Sequence, residues 1–145
     1  MMHSPQVADG LNNSTGKYDF SHWFEPIKKY LDTDGLTIGN LETPIAGPQG
    51  GYTGYPLFNA PDIFAKNLKD VGFDVLTTAN NHSIDQKVSG INATLDVLDS
   101  TDIKHTGTAR SQEERDEILI VEKNNIKIAV LAYTYGTNGN PIPSR

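Results

Sequence analysis

The chain has 145 residues, with 12 lysines and arginines against 18 aspartates and glutamates, a net charge of −6 and no cysteine. That length suits one domain rather than two. The charge excludes a basic, phosphate-tracking surface, so no nucleic-acid partner is expected, and the missing cysteines exclude disulfides, thiol nucleophiles and zinc–thiolate sites.

Residues 1–16 hold Pro5, Gly10, Asn12, Asn13, Ser14 and Gly16 with little periodicity, and they read as loop. In residues 20–31, Phe24, Ile27 and Leu31 mark one apolar helical face. Pro26 confines the helix start to the turn before it, and Asp32-Thr33-Asp34-Gly35 ends it. Residues 36–39 form a short apolar strand that runs into Asn40-Leu41-Glu42-Thr43-Pro44. The stretch 45–59 is a long loop rich in glycine and proline, and loops of that length are usually functional.

A helix follows from Pro61, with Phe64, Leu68 and Val71 on its apolar face and Gly72 as its stop. Residues 73–78 are the second strand, leading into Ala79-Asn80-Asn81-His82-Ser83-Ile84-Asp85. Val88, Ile91, Leu95 and Leu98 define a third helix over 88–100, and residues 103–106 a third strand. Ser111-Gln112-Glu113-Glu114 matches a capping box, enough for a single turn. Two β-rich runs, 118–122 and 126–132, flank Lys123-Asn124-Asn125 as a hairpin, because asparagine tolerates positive φ. Residues 133–145 read as loop.

Strand, helix, strand, helix, strand is the rhythm of parallel βαβ units. The expectation is an α/β fold with a C-terminal β-hairpin and helices on both faces of the sheet. No apolar run approaches the roughly 18 residues of a membrane span, and no signal peptide is visible.

In open α/β sheets ligands bind at the carboxyl ends of the strands. Asn40 and Glu42 follow the first predicted strand; Asn80, Asn81, His82 and Asp85 follow the second. If those strands are parallel neighbours, a carboxylate, carboxamides and an imidazole converge beside the glycine-rich loop. Such oxygen and imidazole donors suit a hard or borderline divalent metal. Each residue also has a plainer reading. The asparagines are good turn and cap residues. Asp85 either orients His82 through a ring nitrogen or caps the helix near Val88. Glu42 is either solvated or held in place by Thr43-Pro44. His22 and His105 read as surface or strand-edge residues, and residues 113–117 as a solvated charged face.

Gly39-Asn40-Leu41-Glu42-Thr43-Pro44, Ala79-Asn80-Asn81-His82-Ser83-Ile84-Asp85, Gly90-Ile91 with Thr94-Leu95, and Tyr133-Thr134-Tyr135-Gly136-Thr137-Asn138-Gly139 occur in that order. Together they resemble the bacterial capsule-biosynthesis CapA family, also called poly-gamma-glutamate synthesis proteins. That family is related to the calcineurin-like metallophosphatases, so the resemblance implies part of a metallophosphatase-like α/β sandwich.

It further implies a site for divalent metal ions such as Mn, Fe, Zn or Mg. Asn81 and Glu42 would be metal ligands and His82 a proton donor or charge stabiliser for the leaving oxygen. Asn40, Asn80, Asp85 and Tyr135 would bind substrate or support the ligands. The superfamily's bridging carboxylate has no exact counterpart here: Asn40 takes the nearest place and Glu42 is the nearest carboxylate. By the same resemblance, residues 1–145 are a partial domain that lacks a first Gly-Asp strand and a histidine-bearing second half. The chain alone is then expected to hold too few ligands to complete the site.

The implied function is a metal-dependent hydrolase of phosphoesters or of an anionic surface polymer. The alternative is a non-catalytic accessory subunit for polymer synthesis or export. Capsule-synthase membrane subunits are the implied partners, and the cell surface or membrane the implied location of the full protein.

Overall fold

The computed structural model describes residues 1–31 and 34–142. The predicted stop at Asp32-Thr33 and the last three positions of the terminal loop lie outside the described residues. The class is α/β, with a three-stranded parallel sheet and an antiparallel hairpin near the C-terminus.

The first sixteen residues are not the loop that their turn formers predict. Helix α1 (Ser4–Asp9) has Pro5 in its first turn, where a missing N–H costs nothing. Gln6 Oε1 accepts from the His3 backbone N–H at 2.6 Å. Strands β1 (Leu11–Asn12) and β2 (Lys17–Tyr18) then pair antiparallel. Asn12 Oδ1 closes their turn by accepting from the N–H groups of Ser14 and Thr15, at 3.0 and 3.2 Å. Too few apolar residues lie here to set up a period, and the anchors are distant. Met2 and Val7 are buried in one core with Phe20, Ile45, Leu68, Leu76 and Leu98. Gly10 has no room for a side chain, since a Cβ there would stand 2.0 Å from Phe20 Cε1.

The helix predicted over 20–31 is broken. Ser21–Trp23 form a 3₁₀ turn, and only α2 (Lys28–Leu31) is α-helical. Pro26 has no N–H to give and disfavours helical geometry in the residue before it, so the apolar period does not propagate. Strand β3 (Ile38–Asn40) starts two residues later than expected and includes Asn40.

Helix α3 (Ile63–Val71) ends as predicted at Gly72, whose φ of 111° only glycine adopts freely. Strand β4 (Val75–Thr77), helix α4 (Lys87–Ser100) and strand β5 (Lys104–Thr106) follow. The sheet order is β3-β4-β5, all parallel. Leu76 packs with Leu68 and Leu98 of the helices. Its neighbour Val75 points the other way, onto Val121 and Val130. These belong to β6 (Leu119–Lys123) and β7 (Ile126–Val130). The expectation of helices on both faces is thus corrected: a hairpin covers the Val75 face. Its turn is Asn124-Asn125, with φ of 52° and 62°, the paired positive values of a tight hairpin.

Helix α5 (Gln112–Asp116) is capped by Ser111, whose Oγ accepts from Glu114 N at 3.2 Å. Arg110 fastens it to α4, reaching Glu114 at 2.6 Å, Asp96 at 2.7 Å and Asp99 at 2.8 Å. His105 Nε2 also donates to Asp99, which lowers its pKa first; Arg110 adds to the effect. Arg110 likewise lowers the pKa of Glu114. A carboxylate with a depressed folded-state pKa contributes stability above its unfolded pKa and loses it as pH falls through the folded value. Arg110→Gln should therefore lower the melting temperature most near neutral pH. The gap from wild type should close below about pH 4, the ordinary carboxylate range. A gap unchanged from pH 7 to pH 3 would contradict this assignment. Among the described residues, no helix is long and apolar enough to cross a membrane.

Candidate functional site

Strand register sets the rim. Asn40, Thr77 and Thr106 lie side by side at the carboxyl ends of β3, β4 and β5. Leu41 N donates to Thr77 O at 2.9 Å, so the chain leaving β3 stays tied to β4 for one more residue.

Asn80 joins the two strand exits. Its buried Nδ2 donates to Leu41 O at 2.9 Å and to Asn40 Oδ1 at 3.1 Å. Its Oδ1 accepts from His82 N at 3.0 Å. Asn40 in turn donates from Nδ2 to Glu42 Oε2 at 3.1 Å. Glu42, Asn40, Asn80 and His82 thus form one continuous hydrogen-bonded chain. Glu42 is held by Asn40 as well as by the stiff Thr43-Pro44 step.

Asp85 does not cap α4. Its side chain is fully buried, and Oδ2 accepts from His82 Nδ1 at 2.8 Å and from Phe58 N at 2.8 Å. A carboxylate only accepts, so the proton sits on Nδ1 and Nε2 keeps its lone pair. Asp85 Oδ1 is buried without a hydrogen-bond partner. A carboxylate placed so, against one imidazole and one amide, is arranged to orient the ring.

The loop at 45–59 supplies the wall. The Phe58 ring meets the His82 ring edge-on at 4.5 Å, and His3 meets Phe58 edge-on at 5.3 Å. Phe58 is fixed through its backbone, with O accepting from Gln86 Nε2 at 3.0 Å. Loop length pointed to function but not to Phe58, because no local pattern links it to a histidine 24 positions later.

Asn81 is half-buried. Its Nδ2 donates to Asn138 Oδ1 at 3.2 Å, and Asn138 Nδ2 stands 3.4 Å from His82 Nδ1. The sequence singled out this terminal segment and favoured Tyr135 in it. Tyr135 is fully exposed and is not drawn into the network; Asn138 is the residue that reaches the rim. The remaining histidines pair elsewhere, His22 with Asp9 and His105 with Asp99, each at 2.9 Å.

The rim therefore gathers Asn40, Glu42, Asn80, Asn81, His82 and Asp85. Among the described residues, no three His, Asp or Glu side chains come together as a metal-binding group. Asp85 is turned onto His82, which leaves Glu42 as the carboxylate and Asn81 as the carboxamide with oxygens to offer a hard cation.

The family described as bacterial capsule synthesis protein PGA_cap matches residues 1–145. The PGA biosynthesis protein CapA of Bacillus subtilis is 34% identical over 134 residues, covering 89% of this chain and 34% of its own length. The capsule biosynthesis protein CapA of Bacillus anthracis is 25% identical over 123 residues, 81% of this chain and 30% of its own. The uncharacterised protein y4sH of Sinorhizobium fredii is 32% identical over 116 residues, 75% of this chain and 25% of its own. The chain spans about a quarter to a third of the length of these curated relatives.

Proposed function

We propose, from the premise that this chain belongs to the PGA_cap family of bacterial capsule synthesis proteins, that its rim serves a metal-dependent hydrolase acting on a phosphoester or on a linkage of an anionic cell-surface polymer. One observation carries the reading: a buried His82–Asp85 pair at 2.8 Å stands beside Asn81 where parallel strands end. Relatives named for capsule and PGA biosynthesis point to the polymer as context.

Glu42 and Asn81 are the candidate ligands for Mn, Fe, Zn or Mg. Two protein oxygens suit Mg or Mn best among these, hard ions that keep waters and substrate oxygens in their other positions. When bound, a divalent ion polarises the substrate oxygen and lowers the pKa of attached water. His82 supplies the proton chemistry. With Nδ1–H held by Asp85, Nε2 takes the proton that the attacking water gives up and delivers it to the leaving oxygen as the scissile bond breaks, while the carboxylate stabilises the imidazolium. Asn40 and Asn80 keep Glu42 and His82 in register, and Phe58 limits water on one side of the ring. The net charge of −6 repels an anionic polymer at long range, so attraction must come from a local positive centre.

A second reading is a non-catalytic subunit that binds the polymer or the membrane subunits of a capsule synthase. It is favoured by the absence, among the described residues, of three or more His, Asp or Glu side chains grouped so that they could hold a metal ion. Either role fits the cell surface or the membrane as location.

Metal analysis, Mn²⁺ titration and turnover of bis(p-nitrophenyl) phosphate by the full chain separate the two. Asn81→Ala should weaken Mn²⁺ binding at least tenfold and lose turnover with it. Wild-type stoichiometry and turnover in that variant would sink the hydrolase reading; no metal and no turnover in the wild type would favour the accessory one.

A further inference from the structure

Asn81 belongs to a side chain type with two different ends. Its carboxamide presents an acceptor oxygen on one side and a donor NH₂ on the other, and rotation about χ2 exchanges them. Only the oxygen can face a cation. Something must therefore hold the amide the right way round, and nothing on the β4–α4 connection does so. Among the described residues, the Asn81 NH₂ donates to Asn138, 57 positions along the chain, whose Oδ1 accepts at 3.2 Å.

Asn138 is itself set by the backbone. It sits at φ 54°, followed by Gly139 at φ 77°. Asn140 N donates to Thr137 O at 2.9 Å, and Thr137 Oγ1 donates to Asn140 O at 2.7 Å, closing a tight turn. Asparagine is among the few non-glycine side chains that accept this conformation. The turn presents the amide of Asn138 to the rim, with Oδ1 on Asn81 and Nδ2 beside the His82 ring.

We infer that Asn138 is a positioning residue for the rim, engaging the NH₂ of Asn81 so that Asn81 Oδ1 is the atom turned toward a bound cation. The inference rests on the reading of Asn81 as a ligand and adds the residue that orients it. Outer partners of metal ligands commonly contribute ten- to a hundredfold to affinity. A single neutral hydrogen bond belongs at the lower end of that range, about tenfold.

The test uses Mn²⁺ as probe on the full chain, followed by electron paramagnetic resonance. Asn138→Gly keeps the backbone conformation and removes the amide; it should weaken Mn²⁺ binding about tenfold at an unchanged melting temperature. Asn138→Ser, too short to reach Asn81, should behave the same way. Asn138→Asp keeps an acceptor oxygen and should bind at least as tightly as wild type, a rescue that mere packing of the turn would not give. Tyr133→Ala, an exposed change in the same segment, should bind as wild type.

Wild-type affinity in both Asn138→Gly and Asn138→Ser overturns the inference while leaving the hydrolase reading in place. If the wild-type chain binds no Mn²⁺, the metal reading fails on its own. The Asn81 side-chain NH₂ in ¹⁵N spectra of the metal-free chain then decides about Asn138. Slowed exchange that is lost in Asn138→Gly supports the orientation, and identical exchange in both proteins overturns it.

Discussion

Asp85→Asn in the full chain is expected to keep the fold and to lower turnover by about 10²–10⁴-fold, the usual contribution of a positioned general acid or base. The substitution is nearly isosteric at a site with no exposed side-chain surface. Its carbonyl oxygen, in the place of Oδ2, can still accept from both Phe58 N and His82 Nδ1, so the wall of the site and the ring tautomer stay in place. What changes is the charge offered to His82. The imidazolium loses its counter-charge, so Nε2 holds a proton less well when the reaction needs it. Ring ¹⁵N shifts should show the Nδ1–H form kept, and the melting temperature should fall by only a few degrees. If the Nδ1–H form is lost in the variant, or turnover stays at the wild-type level, the role given to Asp85 is wrong. The tautomer measurement stands whether or not the protein proves to be an enzyme.

The second large effect belongs to stability. Asn59→Ala should cost about 3 kcal/mol, because a nearly inaccessible carboxamide holds the 45–59 loop together. Its Oδ1 accepts from Ala46 N at 2.8 Å, and its Nδ2 donates to the carbonyls of Gly47 and Gly51, each at 2.9 Å. Alanine leaves one N–H and two carbonyl groups without that partner. Asn59→Asp should not rescue the loss, since it sets a carboxylate against two carbonyl oxygens. Phe58 precedes this residue, so a loosened loop should also withdraw the ring from His82. Urea denaturation measures the first effect. A loss below about 1 kcal/mol would show that the loop is held by other contacts.

How much of this was legible beforehand depends on the range of the interaction. The α3 and α4 helices follow from apolar residues three and four apart, and Gly72 and Asn124-Asn125 from local φ preferences; all four need only neighbours in the chain. The N-terminal hairpin was hidden because Met2 and Val7 become structural only against Phe20 and residues much farther on. The helix predicted around Pro26 failed for the opposite reason, since a local backbone restriction outweighs an apolar period.

The rim divides in the same way. By itself, the sequence determined an α/β fold and the residues that follow its strands: Asn40, Glu42, Asn80, Asn81, His82 and Asp85 had to lie near one edge once the strands were parallel. It also carried the family motifs. Tertiary structure alone decided what these side chains do to one another. Asp85 could orient His82 or cap a helix, and the choice was made by Phe58 N, 27 positions away, which fixes the carboxylate beneath the ring. Asn138 and not Tyr135 reaches the rim because a turn with positive φ aims one side chain inward and leaves the other in solvent. Periodicity records which face of an element is apolar. The direction of a hydrogen bond depends on where a distant chain segment places its donor, and that is settled only when the segments pack.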